Sequence, residues 1–132
     1  MIRCKRVYDP LEAEDGQRVL VDRLWPRNTR KDQLQALWLP EVAPSAALRQ
    51  AFHNAELDFA GFARRYRQEL TAQPGHWWKL LEMAGKGDLT LLYAGKDTAH
   101  NNALVLAQWL EDELERHGPM SSPVCYATEL KT

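Results

Sequence analysis

Asp22, Arg23, Trp25 and Arg27 follow directly on the run Arg18-Val19-Leu20-Val21. An arginine fork meets a carboxylate or a phosphate at two points. An indole beside it stacks on a planar group. An acid at a strand end either orients a guanidinium or takes a proton. A plain structural reading competes, in which Asp22 and Arg23 close a buried strand end as a pair and Trp25 belongs to the core.

A second group stands in Tyr93-Ala94-Gly95-Lys96-Asp97-Thr98-Ala99-His100-Asn101-Asn102, between an apolar run and a helical pattern. Free N–H groups and the dipole at such a helix start favour an anion, and Lys96 adds a point charge. The stretch has one glycine and matches neither GxxxxGK[ST] nor GxGxxG. Capping by Asp97, Thr98 or Asn101 explains the same residues. Histidine as a residue type carries protons near neutrality, which makes His53 and His100 candidate proton carriers, unless each simply bonds a carbonyl. His76 and His117 fall at expected helix ends and receive no role. Ser45 reads as a helix cap and Cys4 as a packed strand residue. No Ser-His-Asp or Cys-His arrangement is evident.

These residues need elements to hold them. Ile2 to Tyr8 alternates apolar and basic residues and predicts a strand that Asp9-Pro10 ends. Glu12 to Gly16 reads as a polar loop, and Arg18 to Val21 as a buried strand. Leu24 to Asp32 reads as a loop with a short helix after it, and Leu37 to Leu39 as an edge segment. Ser45 starts a helix over Ala46 to about His53. Leu57 to about Gln73 predicts the clearest helix, with Phe59, Phe62, Tyr66 and Leu70 on one face. The Tyr66 hydroxyl, if buried, seeks a partner and could reach the site. Pro74-Gly75 breaks that helix, and a shorter one follows over His76 to about Ala84, ended by Gly85 or Gly87. Leu89 to Tyr93 reads as a buried strand, and His100 to Arg116 as a long helix with Ala103, Leu106, Ala107, Leu110 and Leu114 inward. For Met120 to Thr132 the expectation is a last strand near Val124 to Ala127 or a loose tail.

Strands separated by helices predict an α/β fold: a single compact domain with a mostly parallel central sheet and flanking helices. Right-handed crossovers then bring Asp22 and Lys96 to one edge of the sheet, where open α/β sheets bind ligands.

The bulk properties narrow the function classes. The chain has 132 residues, 45% hydrophobic and 27% charged, which suits one ordinary globular domain. Its net charge of -1 argues against a nucleic-acid coat or a membrane-surface binder. The balance is local, since Arg18 to Lys31 holds five cations against the single anion Asp22. The two cysteines, Cys4 and Cys125, lack metal spacing, so neither a zinc site nor any other metal or cofactor is expected. The start of the chain lacks the apolar stretch of a signal peptide, and no run approaches a membrane span, so a cytoplasmic protein is expected.

Lys5-Arg6-Val7-Tyr8, Val21-Asp22-Arg23-Leu24-Trp25-Pro26-Arg27, and Leu91-Leu92-Tyr93-Ala94-Gly95-Lys96-Asp97 with Asn101-Asn102-Ala103 resemble the YeaO-like branch of domain-of-unknown-function family 488. Arg49, Phe52, His53, Phe62 and Tyr66 fit the same pattern, and the resemblance runs to about Leu110. It implies a compact α/β domain and brings no established activity. Some similar chains carry a uroporphyrin methyltransferase label, which a short chain without a glycine-rich cofactor loop does not support. Another branch of the wider family has a Cys-x-Glu and a Cys-His-Arg motif. Tyr93 and Gly95 stand at the first of these positions and Asn101, Asn102 and Ala103 at the second, so thiol chemistry does not carry over. That branch's strand-end Asp-x-Arg is also shifted, with Arg23 directly after Asp22.

The sequence thus points to a pocket at the strand ends for an anionic small molecule, with or without catalysis. Arg23, Trp25, Arg27, Arg49, Tyr66, Lys96 and Asn101 are the candidate binding residues, and Asp22, His53 and His100 the candidate catalytic ones. One alternative is a nucleic-acid module, in which Arg23, Arg27, Arg30 and Lys31 flank the Trp25 platform. The other is a protein-interaction domain with Trp25, Trp38, Trp77 and Trp78 as an exposed hot spot. The oligomeric state is left open.

Overall fold

A computed structural model of the chain describes residues 1–117. The possible last strand or tail over Met120 to Thr132 lies outside the described residues. Among the described residues the sheet has four strands, β1 (Ile2–Arg6), β2 (Gln17–Leu20), β3 (Leu37–Trp38) and β4 (Leu89–Tyr93), in the order β1-β4-β2-β3. Every adjacent pair is parallel. The helices are α1 (Lys31–Leu34), α2 (Ala46–His53), α3 (Phe59–Ala72), α4 (Trp78–Lys86) and α5 (Asn102–His117). The expected α/β fold with a parallel sheet and flanking helices is therefore present.

Alternation along the strands sorts the side chains onto two faces. Val19 and Val21 of the β2 segment and Leu89, Leu91 and Tyr93 of β4 face a core shared with Leu48, Phe62, Leu70, Leu81 and Leu106 from α2 to α5. Ser45 caps α2 by accepting the Leu48 N–H, and Asp58 caps α3 by accepting the Gly61 N–H. The Trp77 indole is buried in this core and donates to the Leu70 carbonyl at 2.7 Å.

The opposite face has a smaller core of Val7, Leu20, Leu34 and Leu92, with Trp25 packed against it. Beside it lies a buried ion cluster. Arg18 donates to Asp15 at 2.6 Å, and Lys5 donates to the same carboxylate at 3.0 Å. Arg18 also holds the Leu34 carbonyl, at 3.1 and 3.2 Å, and Thr90 donates to the Asp15 carbonyl at 2.8 Å. The turn over Ala13–Asp15 delivers Asp15 to this place. Gly16 then takes φ +62° with its Cα against the Asp88 carbonyl, where a Cβ would collide.

The faces explain where the chain opens. After β2 the chain turns toward α1 on the small-core side, and after β4 it turns toward α5 on the other. Neighbouring parallel strands whose continuations leave to opposite faces create a crevice at their carboxyl ends.

Asp15 offers a test of the ion cluster. Burial alone would raise its pKa, but Lys5, the Glu12 N–H and Arg18 hold it below the ordinary carboxylate value. A carboxylate depressed in the fold contributes stability above its unfolded pKa of about 3.9, and that contribution is lost as pH falls through the lower folded value. Asp15→Asn strands Arg18 and should cost about 3–5 kcal/mol at pH 7. Urea midpoints of the two proteins should converge below about pH 3.9. A gap that persists unchanged to the acid limit contradicts this account.

Candidate functional site

Asp22 sits at the mouth of the crevice, two residues beyond the end of β2. One carboxylate oxygen accepts the Ala94 N–H at 2.9 Å, which ties the end of β2 to the residue after β4. The other faces the Asn102 amide at 3.3 Å, and the same amide nitrogen donates to the Val21 carbonyl at 3.1 Å. Trp38 donates its indole N–H to the Asp22 carbonyl at 2.9 Å from the β3 side. Burial raises the Asp22 pKa, and the Ala94 N–H, the Asn102 amide and the Arg49 charge oppose the rise only in part. Asp22 and Arg23 do not form the structural pair that their adjacency suggests. Arg23 reaches instead to the Pro44 carbonyl, at 3.4 Å.

A cavity of about 540 Å³ opens over this point, with Asp22, Arg23, Arg27, Arg49, Phe52 and His53 among its walls. Trp25, Asn101, Asn102 and His100 also line it. The Trp25 indole closes its loop by donating to the Thr29 carbonyl at 2.7 Å and meets Trp38 edge-on, with ring centroids 5.6 Å apart. Asn28 takes the left-handed φ of 57° that this loop needs. Phe52 stacks on Phe62 with centroids 4.5 Å apart and builds the apolar wall.

His100 Nδ1 lies 3.1 Å from Asp97 Oδ2, and its ring stands edge-on to Phe59. With Nδ1 held by the carboxylate, Nε2 is the nitrogen left to bond elsewhere. Asp97 is held below the usual carboxylate range, first by the Ala99 N–H and further by His100, although desolvation opposes this. His53 is exposed at the last turn of α2.

Three expected binding residues stand differently. Lys96 follows β4 on the same sheet edge as Asp22, but it is exposed and does not line the cavity. The loop turns it outward because Asp97 folds back to cap the next turn. Tyr66 is buried in the core and donates its hydroxyl to the Val42 carbonyl at 2.5 Å. It therefore faces a different cavity. Asn101 borders the site, but its side chain caps α5. It accepts the Leu104 N–H at 3.0 Å and donates to the Asp97 carbonyl at 2.9 Å. The four-tryptophan hot spot is corrected as well, because Trp77 is buried and bonded within the core.

Sequence reasoning missed Asn102 and Trp38 as partners of Asp22. The Asn101-Asn102 doublet held a signal, since one helix start needs one cap and the second amide was free for another task. Trp38 gave no such signal, because its partner lies sixteen residues away across the β2–β3 pair. Cys4 is packed, with its thiol directed at the Ala103 carbonyl at 3.4 Å. Burial, then Glu111, pushes that thiol up to about 11. Among the described residues no cluster of His, Cys, Asp or Glu is placed to hold a metal ion, and no helix is long and apolar enough to cross a membrane.

Fold and site together define a parallel α/β protein with an arginine-lined crevice at its strand ends. The chain belongs to the family described as the inactive DUF488-N3 subclade, whose model matches residues 1–127. It is 51% identical over 111 residues to the uncharacterized protein YeaO of Escherichia coli K12, covering 83% of this chain and 96% of that one. It is 41% identical over 110 residues to an uncharacterized protein of Mycobacterium tuberculosis H37Rv, covering 83% and 92%. An uncharacterized protein of Mycobacterium bovis matches to the same extent, at 41%. No solved structure matches the chain.

The raised pKa of Asp22 has a consequence for stability. A carboxylate raised in the fold contributes fully below its unfolded pKa of about 3.9, and the contribution is lost as pH rises through the folded value. Asp22→Asn lacks that titration and keeps one carbonyl acceptor for the clamp. The stability of the native protein relative to Asp22→Asn, measured by urea unfolding, should therefore fall as pH rises from about 3.9. A difference that is flat or rises with pH would show that the carboxylate bears no desolvation cost.

Proposed function

We propose that this protein binds an anionic small molecule in the strand-end pocket. One observation carries the reading. Arg23, Arg27 and Arg49 line the same cavity, and none of them takes part in the ion pairs found among the described residues. Guanidinium groups gathered in a concave site outside any close ion pair, with Asp22 the carboxylate on the same wall, favour a carboxylate or phosphate ligand. The volume of about 540 Å³ suits a small molecule.

In this reading the arginines hold the charge, Trp25 and Phe52 wall the pocket, and Asp22 positions rather than reacts. Both of its oxygens already face donors, from Ala94 and Asn102. His53 and His100 are the groups on the wall able to carry a proton. The described lining includes no Ser, Thr, Cys or Lys side chain to act as a nucleophile. That composition, with the word "inactive" in the family's description, supports binding over turnover.

Calorimetry and thermal shift with inorganic phosphate, sulfate and simple carboxylates test the reading. An anion at about a hundred times its Kd should add roughly 2.7 kcal/mol of stability, seen as a rise of several degrees in Tm. Arg49→Ala and Arg23→Ala should each weaken that binding about tenfold or more. No shift with any anion, or native affinity retained in both variants, overturns the assignment.

A further inference from the structure

A second cavity of about 330 Å³ adjoins the pocket, and Arg23 and Ala43 line both. We infer that the two form one charge-divided groove and that its ligand is a zwitterion, an anionic head joined by an apolar spacer to an ammonium or guanidinium tail. The inference rests on the anion-binding reading and deepens it.

The second chamber has the opposite character to the first. Glu41 and Glu69 stand in its wall with His76 at the rim, and Tyr66, Leu70 and Val42 give it an apolar floor. Glu69 is half-buried. Its oxygens accept the Ser45 N–H at 2.9 Å and the Ser45 hydroxyl at 2.6 Å. A carboxylate oxygen has a further lone pair beyond one such bond, so both can still receive an ammonium. Neither glutamate takes part in the ion pairs found among the described residues. Glu41 is exposed, but Glu69, a partly desolvated carboxylate outside any ion pair, favours a cation arriving with the ligand.

Arg23 stands at the boundary. Its bond to the Pro44 carbonyl is long, at 3.4 Å, so the side chain is a partition and not a fixed wall. A simple anion gains nothing beyond Arg23, where the glutamates repel it. A simple cation is repelled by the arginines of the first chamber. A molecule with both charges at a set spacing satisfies both, and the discrimination comes from the repulsion as much as from the contacts. The apolar residues of the second chamber, Val42 and Leu70, suit a methylene spacer.

The test compares alkyl phosphates with ω-aminoalkyl phosphates over a graded chain length, by calorimetry on the intact protein. At one length the terminal ammonium should improve affinity about three- to tenfold. Glu41→Gln and Glu69→Gln should remove that gain and leave the plain alkyl phosphates unchanged. Glu41 has no bond among those described above, so its variant tests the charge with the fold intact. Circular dichroism melting shows whether Glu69→Gln keeps the Ser45 cap. Equal affinity with and without the ammonium at every length, with plain phosphates still bound through Arg49, overturns the second chamber alone. A gain that survives both glutamine variants overturns it too. No binding by either series overturns it together with the anion reading.

Discussion

The Asp22 carboxylate is the constraint on which the site depends. It is fixed from both neighbouring strands and from the helix that follows one of them. The Ala94 N–H closes the gap to β4, the Asn102 amide brings in the start of α5, and the Trp38 indole grips the Asp22 carbonyl from β3. A half-buried charge is costly, and here neutral donors and the Arg49 field offset only part of the cost. In return, three segments that share no local sequence contact are fixed at one point. The loop carrying Arg23, Trp25 and Arg27 leaves from that point, so its exit direction follows from the clamp.

The two sheet faces meet the demand for coverage differently. A parallel sheet is normally apolar on both sides. Here α2 to α5 cover one side, while the other has a small apolar core and the Lys5-Asp15-Arg18 cluster. Short elements cannot supply much apolar area, and the ion cluster fills the space with bonded polar groups. Arg18 reaches the Leu34 carbonyl and so holds the end of α1, a helix of four residues that could not stand alone. The loop between Asp22 and α1 is thereby pinned at both ends, by the clamp at one and by Arg18 at the other.

Much of this was legible in the chain. The β-branched run before Asp22 and the apolar run before Ala94 give the central strands, and the Ser45 cap and the Phe62-Tyr66-Leu70 stripe give α2 and α3. These signals are local, set by period and capping. That β2 and β4 end at one edge of the sheet was legible too, from the expected right-handed crossovers; that they are neighbours there was not. Side-chain direction was not. Lys96 and Asn102 both follow β4, yet one points to solvent and the other into the clamp, because Asp97 turns the intervening loop. Tyr66 was readable as core, but the Val42 carbonyl that takes its hydroxyl lies twenty-four residues away. The Ser45–Glu69 bond spans the same separation, and no periodicity encodes either contact.

The construction of the clamp also bears on which positions around the pocket can change while it keeps its shape. The Ala94 contribution is a backbone N–H, which any residue but proline would supply at that position. Of its neighbours, Gly95 has open space where a Cβ would stand, whereas Tyr93 is buried in the core and is fixed by its packing. Asn102 differs, because its side chain forms part of the clamp, and a change there loosens Asp22 itself. Side chain and scaffold are thus separable at Gly95 and joined at Tyr93 and Asn102. The Ala94 N–H and the Asn102 amide hold Asp22 by different means, one through the backbone and the other through a side chain, and only the second depends on which residue stands there.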